Sequence, residues 1–219
     1  MGNDQAVVDA DTAKSDAETP ADSKKRLQIL DGARKVFLSD GFDGASMNDI
    51  ARVAGVSKGT LYVYFASKEV LFEELIWHDR RTQAEHMLTL DDDNHDVRAV
   101  LFKLGSTLVA NLLTTDSIAL LRTVIAISGK QPQIGRAFYA AGPERGVARL
   151  TRYLDSQVAA GVLDIADTRF AAMQFFELCL CGVLKPVLFG VEIPTGAAEI
   201  QRAIGSGIDM FLAAYARRG

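Results

Sequence analysis

At 219 residues, 48% of them apolar, the chain has room for one large or two small domains and enough apolar mass for a core. Its net charge of −4 excludes a protein that holds nucleic acid by bulk positive charge, so any such contact has to be local. Cys179 and Cys181 stand two apart in an apolar segment, a spacing that on a helix sets them roughly 200° apart and excludes a bridge between them. Small core residues are the favoured reading of the pair, with a redox switch as the alternative.

In chain order, residues 1–23 carry six acids against Lys14, a net −5, and show no hydrophobic period. They are expected to form a disordered acidic tail. Residues 24–68 reverse the sign, with eight bases against four acids, a net +4. The basic footprint is therefore local, as DNA binding requires. A first helix is expected from Ser23 or just after, with Leu27, Ile29, Leu30, Ala33 and Phe37 as its apolar stripe and Gly41 as its end.

Residues 46–68 carry the most information. Ser46 is a candidate N-cap with Asp49 three residues on, and Met47, Ile50, Ala51 and Ala54 recur at helical spacing. Gly55 supplies a permissive turn, Val56 can seal the corner, and Ser57 caps a second helix whose first turn is Lys58, Gly59 and Thr60. Leu61 and Phe65 share an inward face, while Tyr62 and Tyr64 flank it, where a phenol can reach a phosphate oxygen. Ser67 opens a further helix, with Lys68 in its first turn. This is the pattern of a helix-turn-helix, in which the start of the second helix reaches base edges in the major groove. The expected DNA-facing set is Ser46, Lys58, Gly59, Thr60, Tyr62, Tyr64 and Lys68. Lys58 and Thr60 are assigned to bases, Tyr64 and Lys68 to phosphate, and Gly59 to close approach.

Gly41-Phe42, Ser46, Asp49-Ile50-Ala51, Ala54-Gly55-Val56-Ser57, Gly59, Leu61-Tyr62, Tyr64-Phe65, Ser67-Lys68-Glu69 and Leu71 resemble the N-terminal domain of the Tet-repressor (TetR) family. The pattern runs without gaps from the Lys24 region to Leu71. The resemblance implies an all-α homodimer. Its helix-turn-helix domain, 24–70, would be joined by a linking helix to a larger ligand-binding and dimerisation domain, 71–219. The run Gly142-Pro-Glu-Arg-Gly-Val-Ala-Arg-Leu150, followed by a long apolar helix, is similar to one of the family's C-terminal subtypes.

Beyond the helix-turn-helix, a helix is expected over 67–87, with Leu71, Phe72, Leu75 and Ile76 inside. Asp91 to His95 read as a charged loop. Further helices are expected near 96–114, 117–128, 132–141, 143–160, 167–190 and 197–217. Pro132 and Pro143 suit first-turn positions, Gly161 a stop, and Pro186 a kink or end. Hairpin turn signals and internal repeats are absent. His78 with Glu74 reads as a solvated surface pair rather than a metal site, and no Cys/His cluster has metal-ligand spacing. Residues 170–191 are apolar enough to test as a membrane span, but Glu177 and Lys185 inside them make a buried helix the better reading. No basic region followed by an apolar run opens the chain, so a cytoplasmic protein is expected.

Candidate ligand-pocket residues are Phe102, Leu121, Arg122, Ile125, Phe138, Tyr139, Gln174, Phe175, Phe176, Glu177 and Cys179. Arg122 and Glu177 are charges inside apolar runs; they pair with each other, anchor a ligand or tie the domains together. Arg122 leaves a carboxylate ligand open and Glu177 a cationic one, within a ligand expected to be largely apolar or aromatic. By analogy with the family, Leu180, Val183, Leu184, Val187, Ile204, Ile208 and Phe211 are expected at the dimer interface. The reading is a repressor that binds an inverted-repeat operator in double-stranded DNA as a homodimer and is released by a small-molecule inducer. It has no cofactor, metal, membrane or catalytic role. A constitutive DNA-binding dimer or an activator is the alternative. No nucleophile–base pair or phosphate loop supports an enzyme.

Overall fold

The computed structural model describes residues 20–87, 90–194 and 196–217, so most of the expected acidic tail lies outside the described residues. Among those residues the chain is all α, with eleven helices: α1 Pro20–Gly44, α2 Met47–Ala54, α3 Lys58–Tyr64, α4 Lys68–Met87, α5 Val97–Leu112, α6 Thr115–Ser128, α7 Pro132–Ala141, α8 Pro143–Ala159, α9 Thr168–Leu180, α10 Leu184–Leu188 and α11 Ala197–Tyr215. One isolated antiparallel bridge, Leu163 to Ala216, ties the α8–α9 connection to the end of α11. No single described helix is long and apolar enough to cross a membrane.

Two clusters of buried side chains organise these helices. The first gathers Ile29, Leu30, Ala33, Val36 and Phe37 of α1 with Ile50, Leu61, Phe65, Leu71, Phe72, Leu75 and Ile76. At its centre the Phe37, Phe42 and Phe72 rings meet in pairs at 4.7, 5.2 and 5.8 Å between centroids, within the range for favourable aromatic contacts. Leu27, expected in the stripe, is instead 48% exposed, because the buried face of α1 follows Ile29, Ala33 and Phe37. The helix also starts earlier than expected, at Pro20, whose fixed φ and missing N–H suit a first turn. It breaks at Gly41, where φ is +68°.

The first cluster does not stop at the helix-turn-helix. Leu120, Val124 and Ile127 of α6, with Ile134, Phe138 and Ala141 of α7, belong to it. The second cluster packs α5, α8, α9 and α11 around Leu101, Leu150, Tyr153, Phe175, Ile208 and Phe211. The loop after α4 is tied down rather than loose. Tyr153 Oη donates to Asn94 O at 2.8 Å, and Gln157 Nε2 donates to Asp92 O at 2.9 Å. Burial, then Asp96, Asp91 and Asp92, push the Tyr153 phenol up to about 12.

The apolar run expected as one helix over 167–190 is broken. α9 ends at Leu180, Gly182 takes φ +74°, and α10 starts at Leu184. Pro186 then sits in the first turn of α10, where its missing N–H leaves no intrahelical bond unmade. In a continuous helix it would have cost a hydrogen bond and clashed with the carbonyl of Gly182.

Candidate nucleic-acid interface and ligand cavity

The residues of α2 and α3 form a compact corner. Ser46 caps α2: its Oγ accepts from Asp49 N at 3.1 Å and donates to Asp49 Oδ2 at 2.6 Å. The hydrogen bond from Ser46 and then Arg52 hold the Asp49 carboxyl below its ordinary value. Gly55 adopts φ +65°, ψ 38°, a left-handed conformation open to glycine, and turns the chain. Val56 packs onto the first cluster, and Ser57 Oγ accepts from Thr60 N at 3.0 Å to open α3.

Leu61 and Phe65 are fully buried, which fixes the opposite face of α3 outward. Lys58, Gly59, Tyr62 and Val63 are exposed there, with the Lys58 ammonium 5.9 Å from the Tyr62 ring centroid. Thr60 is half-buried, and its hydroxyl shares a 2.8 Å hydrogen bond with Ser57 Oγ. Val63, 82% exposed, was missed in the sequence because a lone apolar side chain carries no polar signal of a groove-facing position.

Two of the expected phosphate contacts are already engaged within the chain. Tyr64 packs on the first cluster and its Oη donates to Asp22 Oδ1 at 3.0 Å. Lys68 corrects the expectation more fully. Its Nζ donates to Phe42 O at 2.6 Å and Ala45 O at 2.9 Å and lies 4.4 Å from the Phe42 ring centroid. The ammonium is turned into the protein to satisfy the carbonyls that the break at Gly41 leaves open, rather than outward to a phosphate. Much of the local positive charge is similarly taken. Arg26 pairs with Glu74, Arg34 with Asp79, Lys35 with Asp31 and Arg52 with Asp49. Lys24, Lys25 and Lys58 have no acidic partner among the described residues.

A cavity of about 360 Å³ opens between α5, α6, α7, α8 and α9. Leucines 104, 108, 112, 121, 180 and 184 line it, with Phe138, Tyr139, Val147, Met173 and Phe176; Asn111 and Glu177 are the polar side chains besides the Tyr139 hydroxyl. Of the expected set, Leu121, Phe138, Tyr139, Phe176 and Glu177 come together here. Phe175 and Cys179 are fully buried in the second cluster, and burial pushes the Cys179 thiol up to about 12, away from thiolate chemistry. Phe102 and Ile125 lie on the outer surface, and Gln174 accepts a hydrogen bond from Tyr215 Oη. Arg122 does not meet Glu177: its Nε donates to Leu188 O at 3.0 Å and a terminal nitrogen donates to Val187 O at 2.6 Å, which staples α6 to α10. Asn111 and Met173 were missed because single polar or flexible residues carry no periodic signal. Among the described residues, no group of three or more His, Cys, Asp or Glu comes together to hold a metal ion.

The expected dimer surface is also redrawn. Ile204, Ile208 and Phe211 are at most 1% exposed, and Val183 is buried with them, all four inside the subunit's own second cluster. Leu180 and Leu184 line the cavity, and Val187 is half-buried with its carbonyl held by Arg122. Apolar side chains that do face outward include Phe170 and Met173 of α9, Phe189 and Val191 after α10, and Met210 of α11.

Comparison with known proteins fits this geometry. Residues 29–75 match the model of bacterial regulatory proteins of the tetR family, and residues 99–217 match that of the AefR-like transcriptional repressor C-terminal domain. Over 55 residues the chain is 44% identical to the HTH-type transcriptional regulator UidR of Escherichia coli, covering 25% of this chain and 28% of UidR. Over 63 residues it is 36% identical to the HTH-type transcriptional repressor AcnR of Corynebacterium diphtheriae, covering 29% of this chain and 33% of AcnR. The chain thus spans about a third or less of these curated relatives' lengths. Likeness to solved structures is wider. A TetR-family transcriptional regulator from Mesorhizobium loti superposes with a TM-score of 0.84 at 30% identity, over 91% of this chain and 100% of that one. The flavonoid-responsive regulator FrrA superposes at 0.77 and 31% identity, over 90% and 100%.

Proposed function

The chain belongs to the TetR family of transcriptional regulators, and from that premise we propose that it is a repressor released from its operator by a small, largely apolar inducer. It acts in the cytoplasm as a homodimer, with 24–70 as the DNA-binding unit and 71–219 as the unit for ligand and dimerisation. The two copies of α3 enter successive major grooves about 34 Å apart on an inverted repeat. Lys58 and Thr60 read base edges, Gly59 lets the backbone approach, and Tyr62 and Tyr64 reach phosphate, with Tyr64 exchanging Asp22 for DNA. Val63 adds an apolar contact suited to a thymine methyl. The dimer forms through the outward face of α11, around Met210.

One observation supports ligand control above all others. Phe138 and Leu121 line the cavity, and both also pack on the cluster that contains the helix-turn-helix. A ligand that moves this wall moves the base on which α1 and α4 rest. Release follows if the ligand binds the displaced arrangement more tightly than the operator-ready one. FrrA, described as flavonoid-responsive, supports a flat aromatic ligand for this chain too.

The test is selection of binding sites from random DNA, followed by titration of the selected complex with flat aromatic compounds. Recovery of an inverted repeat, and its release by at least one compound at a concentration that saturates the cavity, is the expected result. Recovery of a single half-site, or a complex that no cavity-binding compound disturbs, would overturn the reading.

A further inference from the structure

The apolar cavity carries a charge rule that the family match does not supply. We infer that it selects ligands whose head group donates hydrogen bonds and carries no negative charge, with Glu177 as the acceptor. The inference rests on the proposed role of this cavity as the ligand site.

The sequence leaves two opposite head groups open, because Arg122 suits a carboxylate and Glu177 a cation. The structure separates them. Arg122 is absent from the lining, and its guanidinium is committed to the carbonyls of Val187 and Leu188. Among the described residues, no Lys, Arg or His lines the cavity. Arg169, on the first turn of α9, is turned to Glu144 at 2.8 and 3.1 Å. Where the backbone at the start of α8 reaches the lining, its field is partly cancelled. α7 ends and α8 begins at the Gly142–Pro143 corner, so their opposed dipoles meet there, and Pro143 has no N–H to give.

What remains is an apolar wall with three polar side chains. Glu177 brings a carboxylate that only accepts hydrogen bonds, Asn111 an amide and Tyr139 a hydroxyl. A carboxylate ligand placed against Glu177 meets a like charge and leaves its own oxygens short of donors, which is the costly way to bury an ion. An ammonium, or the hydroxyl of a phenol or alcohol, finds an acceptor. Glu177 is itself exposed, so it stands at the mouth of the cavity and not in its depth. The apolar body of the ligand then lies inward along Leu104, Leu108, Leu121 and Phe138, with its head at the opening. Solvent at the mouth weakens the charge effect but does not reverse its sign.

Three probes of matched shape test the rule by calorimetric titration of the full chain: 4-(1-naphthyl)butylammonium, 4-(1-naphthyl)butan-1-ol and 4-(1-naphthyl)butanoate. The alcohol and the ammonium should bind, and the carboxylate should bind at least about tenfold more weakly than the ammonium. Glu177→Gln should bring the ammonium and carboxylate to within about threefold of each other while leaving the alcohol nearly unchanged. Equal or tighter binding of the carboxylate in the unaltered chain overturns the inference, as does a preference that survives Glu177→Gln. Leu121→Trp, which fills the cavity, separates this failure from failure of the ligand site. If the alcohol binds and Leu121→Trp abolishes it, the site stands whatever the charge preference. If the alcohol does not bind, or binds Leu121→Trp equally well, the ligand-site reading falls and the inference with it.

Discussion

Gly32 of α1 lies directly against Ala54 of α2: a Cβ built at position 32 falls 2.6 Å from Ala54 Cβ, 2.7 Å from its Cα and 2.8 Å from its N. Two of those three atoms are backbone, so no rotamer change relieves the contact. Gly32→Ala should therefore force α1 and α2 apart and destabilise the DNA-binding unit by roughly 1–3 kcal/mol, the usual range for overpacking. Thermal unfolding checks the loss. Adding Ala54→Gly should recover only part of it, because the Cα and N contacts persist.

Lys68 offers a direct contest between two roles. If its ammonium serves the carbonyls of Phe42 and Ala45, Lys68→Met should lower stability by about 1–3 kcal/mol, the penalty for stranding partly buried acceptors. The slope of log affinity for DNA against log salt should then stay as it was. A phosphate role predicts the reverse, a slope shallower by about 1 per subunit with stability intact. Urea unfolding and a salt titration together decide it.

Asp22 accepts the Tyr64 hydroxyl hydrogen bond, and the proposed interface sets this pair beside the DNA backbone. Asp22→Asn removes a negative charge from beside incoming phosphate. Affinity should rise a few-fold, and by the same ratio on operator and random DNA, because phosphate contacts carry no sequence information. A gain confined to the operator would show that Asp22 acts on base readout instead.

Lys58, Thr60 and Val63 should behave differently from Asp22. Lys58→Ala and Thr60→Ala should change which base pairs are preferred, at roughly 1–3 kcal/mol for each lost base contact. Val63→Ala should weaken a preference for thymine at one position per half-site. Repeating the site selection with each variant reads this out; an identical motif from all three removes them from the readout surface.

Phe138 and Phe176 both line the cavity but differ in what lies behind them. Phe138→Ala empties a site shared with the helix-turn-helix cluster and should cost about 3–5 kcal/mol of stability, along with operator affinity. Phe176 is half-buried and its ring meets Phe175 edge to face at 5.6 Å between centroids, so Phe176→Ala should weaken ligand response while operator binding persists. Equal damage to operator binding by both changes would contradict the shared-wall arrangement.

The sequence was most legible where local chemistry sets the backbone. Pro132, Pro143, Gly55 and Ser57 mark boundaries that the structure keeps, because each acts through its own φ or its own cap. It was least legible where a choice between neighbours depends on tertiary packing. Phe175 and Phe176 are adjacent and chemically identical, yet one fills the core and the other faces the cavity, a difference of about 100° of helix rotation. The family analogy that put Ile204, Ile208 and Phe211 at the dimer interface had no packing signal in the sequence to check it. An apolar stripe on a helix says that it is buried, not whether its own subunit or a partner covers it. Lys68 and Arg122 show a third kind of gap. A long cationic side chain can turn inward to carbonyls far away in sequence, and nothing in its neighbours announces that.

The shared position of Phe138 bears on how such a regulator acquires a new effector. Positions 121 and 138 answer to two masters, so a mutation there that suits a novel compound also loosens the DNA-binding unit. The wall formed by Met173, Phe176 and Glu177 of α9 belongs to no such partnership with the first cluster. With the cavity as the proposed ligand site, substitutions along α9 are the ones expected to change specificity without loosening the first cluster, whereas substitutions on the α6–α7 side carry that second cost.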